Sequence, residues 1–314
     1  MKLVDEKPVL AVDIGGSKIM AGIVDASGKV LQKDKRLINS AITREFIIET
    51  VLNLSSSVLS KYKFSDEIKY AGVSIPGLAD PERGVWIYSS FSGLSNFNIA
   101  EVLSGHLNMP VFIGNDVNAC ALGEKAFGSC KDIDDFIWIT VSNGIGGGVV
   151  VNGELYEGAF RNAGEIGHIS VVENGLPCKC GNRGCLEVYA AGPGITRRYM
   201  EKSRYGKGGS PDAKEIAVRA KNGDTAAQEI YGETGYYLGK AIASAVNIVN
   251  PRKVILGGGV AMDMELFYTR LEDTMSRFVF KGANKDLMVE KTALAYDASL
   301  IGAAAIVKKR IGAL

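Results

Sequence analysis

The sequence has no excess charge of either sign, no long apolar run and almost no histidine. Lys plus Arg number 36 and Asp plus Glu 35, a formal net charge of +1. That balance offers no broad basic surface for nucleic acid or anionic lipid. No apolar stretch approaches the ~18 residues a membrane helix needs. The N-terminal stretch carries Asp5 and Glu6, and its apolar run stops at Asp13, unlike a secretory signal. A Walker A sequence, GxxxxGK followed by Ser or Thr, is missing, which argues against a P-loop protein. Low-complexity segments are absent as well. The expectation is a cytoplasmic protein with no nucleic-acid or membrane partner.

Glycine is the abundant residue. At 38 of 314 it makes up roughly 12%, against ~7% in average proteins. The glycines cluster without a period, which points to backbone that turns sharply or approaches a ligand closely. At ~150 residues per domain the length suggests two domains or one large one. The alternation of strand and helix patterns gives an α/β class.

Two stretches share a plan. Val9–Val12 reads as a buried strand, 13–18 as a glycine turn and 19–24 as a second strand, followed by a turn at 26–29. About 130 residues on, 136–141, 142–148 and 149–151 repeat it, closed by the Asn152-Gly153 hairpin signal. A unit used twice predicts a duplicated architecture. Helical patterns fall at about 43–61, 99–107, 117–127, 188–203, 212–221, 224–248, 263–278 and 299–310. Further strands are read at 70–75, 111–114, 253–256 and 289–293.

Three glycine turns each follow a strand: Asp13–Lys18, Ser142–Gly148 and Gly257–Gly259. Any one of them can be a plain hairpin. Together they favour a nucleotide polyphosphate held by backbone N–H groups. Asn115 and Asp116 follow the strand at 111–113. Either is suited to capping the next helix, and Asp116 is equally suited to accepting a proton from a substrate hydroxyl. His168, one of only two histidines, precedes Cys178, Cys180 and Cys185. Three thiolates and one imidazole can complete a closed tetrahedral zinc site, the alternative being three inert thiols in a loop. The other histidine, His106, lies in a helical pattern and carries no such signal.

In this order the chain carries DIGGSK at 13–18, GVSIPGLAD at 72–80, NDVNACALGE at 115–124, NGIGGG at 143–148, GEIGH at 164–168, CKCGNRGCLE at 178–187 and GGG at 257–259. These motifs resemble those of the ROK family of sugar kinases and repressors, over nearly the whole chain. The resemblance implies an actin/hexokinase-like, ribonuclease H-like duplicated fold. In it, two α/β domains flank a central cleft: 1–117 plus 299–314, and 118–298 with a zinc loop. The final helix packs back on the first domain.

The resemblance also implies ATP-dependent phosphorylation of a hexose at its 6-hydroxyl, with Asp116 as general base. Asn115, Glu165, His168 and Glu187, with the backbone at Gly77, match the sugar's partners. Asp13, Gly15, Gly16, Ser17 and Lys18 match a first phosphate loop, Asn143 and Gly144 a second, and Gly257 and Gly258 the adenosine region. His168, Cys178, Cys180 and Cys185 match the ligands of a structural Zn²⁺, while Mg²⁺ accompanies ATP. Family kinases are commonly homodimers or homotetramers. Repressors of the family carry a winged helix-turn-helix ahead of the first glycine turn, and here only 12 residues precede Asp13. Two departures stand out. Ser142-Asn143-Gly144 replaces the common Gly-Thr-Gly. Ser90-Phe91-Ser92-Gly93-Leu94 replaces the glucokinase Asn-Leu-x-x-Trp, which leaves the choice among glucose, N-acetylmannosamine, N-acetylglucosamine and other hexoses open.

Overall fold

The computed structural model describes residues 7–38, 42–89, 92–203, 209–282, 284 and 286–314. The chain divides into two units. The first is Met1–Asp134 with Leu155–Asn162 and Ala293–Leu314, and the second is Asp135–Glu154 with Ala163–Thr292.

The strands are β1 (Val9–Ile14), β2 (Lys18–Val24), β3 (Val30–Leu37), β4 (Ala71–Ile75), β5 (Leu78–Asp80), β6 (Val85–Tyr88), β7 (Ser95–Phe97), β8 (Val111–Asn115), β9 (Phe136–Val141), β10 (Ile145–Val151), β11 (Glu154–Tyr156), β12 (Lys253–Gly257) and β13 (Met288–Lys291). The helices are α1 (Arg44–Lys61), α2 (Ile99–Leu107), α3 (Asp116–Ala126), α4 (Glu187–Ala190), α5 (Gly192–Ser203), α6 (Ala213–Lys221), α7 (Thr225–Val249), α8 (Tyr268–Phe278) and α9 (Ala298–Arg310).

In the first unit the sheet order is β3-β2-β1-β4-β8. β1 to β3 form an antiparallel meander, while β1, β4 and β8 run parallel. β1 and β4 are nearly continuous apolar runs because helices cover both their faces. One face packs Val12 and Val73 against Ile47 and Val51 of α1 and Leu103 of α2. On the other face, Leu300, Ala303 and Ala304 of α9 cover Ala11, Met20 and Val24. The final helix therefore packs on the N-terminal sheet, as the resemblance implied.

Gly72 on β4 makes that closeness possible, because a methyl group there would overlap the backbone carbonyl of Ala303. Backbone cannot swing aside as a side chain does. Gly72→Ala should therefore destabilise the protein by about 2 kcal/mol or more. The check is the urea midpoint, and an unchanged midpoint would mean that α9 is loosely held.

The second sheet has the order β11-β10-β9-β12-β13. Again a meander is followed by parallel strands, the same plan as in the first unit. Ile137, Ile139, Val254 and Leu256 bury one face against Leu238, Ile242 and Val246 of α7 and Leu271 of α8. The duplication read from the repeated strand–turn–strand unit is thus a shared sheet topology.

The boundary differs from the one drawn at 117/118. α3 belongs to the first unit, together with the chain up to Asp134, because its Ala119 and Leu122 pack against Ala305 and Ile306 of α9. Three local differences also have physical causes. The 188–203 helix breaks at Ala191, where Gly192-Pro193-Gly194 starts a new helix. The 263–278 helix opens as a 3₁₀ segment, Ala261–Leu266, with Asp263 outside helical geometry. A small sheet, β5-β6-β7, was not anticipated, although Val85–Tyr88 follows a Pro81–Gly84 turn signal. No helix among the described residues is long and apolar enough to cross a membrane.

Candidate active site

The site residues fall into two groups, one in each unit. In the first unit, β8 delivers Asn115 and Asp116 to the start of α3. Asn115 is the helix cap, since its Oδ1 accepts from the amides of Val117 and Asn118, each at 3.0 Å. Its Nδ2 donates to the Gly77 carbonyl and to Asp116 Oδ1, each at 3.0 Å. Both faces of the Asn115 amide are thus used within the chain, and they hold Asp116 in place. The capping alternative for Asp116 falls away. It is the first helical residue, and only its Oδ1 is engaged by neighbours, Val117 N and Asn115. Burial, reinforced by the negative charge of Asp13, pushes Asp116 up to about 7.

Asp13, next to last in β1, is 5% exposed. Its two oxygens accept from Ser74 Oγ and Ser299 Oγ, each at 2.8 Å. Burial holds its pKa above the ordinary carboxylate range, and the two hydroxyls and the charge of Lys18 offset only part of that rise. Beyond it the β1–β2 hairpin is closed by Gly15 N donating to Lys18 O at 2.9 Å. Gly16 and Ser17 form the exposed tip. Neither serine was singled out from the sequence as a partner of Asp13. They lie 61 and 286 positions from it, and no local pattern marks such a contact.

The second unit holds the remaining residues. Asn143 is the exposed tip of the β9–β10 turn, which Ser142 N closes by donating to Gly144 O at 2.9 Å. Glu187, the first residue of α4, accepts from Ile145 N at 3.1 Å. A Cβ at Gly144 would stand 2.8 Å from Glu187 Oε2, so a side chain there would push the carboxylate from its present position. Gly257 and Gly258 leave β12 beside the end of β9, where Val260 N donates to Val141 O at 3.0 Å. Gly258 has φ of +89°, and a side chain there would meet that same carbonyl. Two glycine turns therefore lie together at the carboxyl ends of adjacent parallel strands, the usual place for a ligand in an α/β sheet.

Glu165 precedes the short turn Ile166–His168, and its Oε2 lies 3.7 Å from His168 Nε2. The other ring nitrogen, Nδ1, is 3.8 Å from Cys178 Sγ, and Cys180 Sγ is 3.6 Å from Cys185 Sγ. All four donor atoms lie within 4.8 Å of one another. Tetrahedral zinc with Zn–S near 2.3 Å separates its sulfurs by about 3.8 Å, so the donor set fits that ion. The turns the cluster needs come from Gly181 and Gly184, with φ of +94° and +78°. Four protein ligands leave no open position for catalysis. Ser90 and Phe91, where the sequence departs from the glucokinase segment, lie outside the described residues.

The ROK family model matches residues 9–310. The chain belongs to the ROK family. Its relatives include the glucokinase of Thermotoga maritima, 33% identical over 97% of this chain and 98% of that protein. They also include the DNA-binding transcriptional dual regulator NagC of Escherichia coli, 30% identical over 96% of this chain and 75% of the regulator. Among solved structures, the ROK family glucokinase of Streptomyces griseus in complex with glucose and AMPPNP matches with a TM-score of 0.84. The match has 29% identity and covers 95% of this chain and 98% of that one. The fold of this ROK protein is accordingly actin/hexokinase-like.

Proposed function

We propose that this chain transfers the γ-phosphoryl group of ATP to the 6-hydroxyl of a hexose. As a sugar kinase of the ROK family, it needs a proton acceptor for that hydroxyl, and the state of Asp116 carries the reading. The residue opens α3 directly after β8, the capping role is filled by Asn115, and its affinity for a proton is tuned near neutrality. As the sugar oxygen attacks the γ-phosphorus, its proton passes to Asp116 and ADP leaves. Mg²⁺ enters with ATP as the MgATP substrate and neutralises phosphate charge.

Glu165, His168 and Glu187 supply carboxylate acceptors and an imidazole N–H for the sugar hydroxyls. Asn115 joins them only by giving up its bond to the Gly77 carbonyl, so its main role is to orient Asp116. The backbone of Gly15, Gly16, Ser17, Asn143 and Gly144, with Lys18, receives the phosphates, and Gly257 and Gly258 flank the adenosine. His168 and the three cysteines would hold a zinc ion, which would supply rigidity and charge there. With Nδ1, the ring nitrogen nearer Cys178, as the ligand atom, Nε2 of His168 would be left to the substrate side. Glucose is the first acceptor to try, with N-acetylmannosamine and N-acetylglucosamine beside it.

The test is ADP release measured across a panel of hexoses and N-acetylhexosamines. We expect sugar-dependent ADP formation, with the phosphate found on the 6-oxygen. Sugar binding without any ADP would reduce the chain to a sugar-binding protein.

A further inference from the structure

The Asn115 amide that orients Asp116 is itself held by the carbonyl of Gly77, and a glycine in a bend has no side chain to fix that carbonyl. We propose that Trp86 is a positioning residue for the proton acceptor: its indole N–H grips the carbonyl of Pro76, fixes the Pro76-Gly77 bend, and so keeps Gly77 on Asn115 and Asn115 on Asp116. The proposal rests on the reading of Asp116 as the base.

Every link in this chain is a measured contact within the first unit. Trp86 Nε1 donates to Pro76 O at 2.9 Å, and Asn115 Nδ2 donates to Gly77 O and to Asp116 Oδ1, each at 3.0 Å. The carbonyls of two successive residues thus have separate partners, one on β6 and one at the end of β8. β6 also meets the bend a second time. Gly77 has φ of +85°, and a Cβ there would stand 2.4 Å from the Tyr88 carbonyl. The pairing of β5 with β6, Leu78 opposite Tyr88 and Ala79 opposite Trp86, brings both contacts to the same place.

The indole is a fixed donor. Trp86 is fully buried in the core with Phe97, Ile99 and Leu103, and it stands opposite Phe97 in the β6–β7 pair. The bend it holds is not fixed by itself. Gly77 is exposed, so water competes for its carbonyl, and glycine accepts either sign of φ. With the Pro76 carbonyl released, the peptide can rotate and the Gly77 carbonyl can leave Asn115 for solvent. The Asn115 amide then stays anchored only through its Oδ1, on the amides of Val117 and Asn118. Its Nδ2 loses one of two partners, and Asp116 is aimed less sharply.

The experiment removes the indole N–H. Trp86→Phe keeps an aromatic ring in the core without the donor. Benzothienylalanine introduced at position 86 keeps the shape of the indole and puts sulfur where the N–H was. Both should lower kcat by about tenfold and leave MgATP KM within about twofold. Asn115→Ser keeps a capping hydroxyl but has no amide to carry the link. In that background Trp86→Phe should change kcat by less than about twofold, because the link is already cut, whereas a packing defect would cost the same in both backgrounds. A second readout needs no turnover. The side-chain N–H signals of Asn115, assigned by their loss in Asn115→Ser, should exchange with solvent about tenfold faster once the indole donor is gone.

Unchanged turnover or unchanged Asn115 exchange with the sulfur isostere overturns the proposal and leaves Trp86 as a packing residue. An equal loss of kcat in both backgrounds does the same. If Trp86→Phe fails to fold, the sulfur isostere decides by the same measurements. Asp116→Asn with wild-type turnover would instead remove the reading of Asp116 as base, whatever the Trp86 variants show.

Discussion

Asp116→Asn is expected to lower kcat by ~10²–10⁴ while sugar affinity holds, because the amide keeps hydrogen bonds but takes no proton. The same substitution should stabilise the protein in alkaline buffer. Burial, and then the charge of Asp13, push Asp116 up to about 7 in the folded chain, well above the ordinary carboxylate range. A carboxyl raised on folding favours the native state below its unfolded value, and that contribution is lost as pH rises through the folded value. Above pH 7 the folded chain therefore carries an ionised group it disfavours, and the asparagine carries none. We expect a gain on the order of 2 kcal/mol at pH 8, allowing for solvent at the half-buried carboxylate, and little change near pH 4. Thermal melts at both pH values check this beside the assay. Wild-type kcat/KM should fall on the acid side of about pH 7. A variant with full turnover, or with equal stability shifts at both pH values, would show that Asp116 is not the tuned base.

The purified protein should hold about one zinc per chain. Cys180→Ser should release it, since Cys180 is one of four donors closing the site and the most exposed of the three thiols. His168 is both a donor of that site and a neighbour of Glu165. Loss of the metal should then unfix the ring and raise sugar KM by about tenfold or more, with MgATP KM little changed. Elemental analysis and steady-state kinetics measure the two halves. Protein purified without chelator and free of zinc would sink the site. A parallel rise in both KM values would mean that the metal supports the second unit as a whole rather than the sugar-facing residues.

The grouping of His168 with the three cysteines was readable from the sequence because these donors are close in the chain and glycines stand where the backbone must turn left-handed. The repeated strand–turn–strand unit was readable for a similar reason, since a meander is made of neighbours. Asp116 was ambiguous. An Asn-Asp pair before a helix offers two caps, and only the bonds of Asn115 show which residue is spent on capping. Ser74 and Ser299 were illegible as partners of Asp13, because tertiary packing alone brings β4, α9 and β1 together. The placement of α3 was missed for the same reason. Its buried Ala119 and Leu122 look generic until α9, from the far end of the chain, is set against them.

The packing of α9 on the first sheet has a bearing on how the chain is made. A ribosome releases β1 to α3 early, then the whole second unit, and α9 only afterwards. Until then Ala11, Met20 and Ala119 lack their apolar cover, and Asp13 lacks one of its two hydroxyl donors. The second unit can condense on its own schedule, but the first is closed by a helix synthesised after that unit. The nascent N-terminal half thus waits with an open apolar face, the species on which chaperones act and from which aggregation starts.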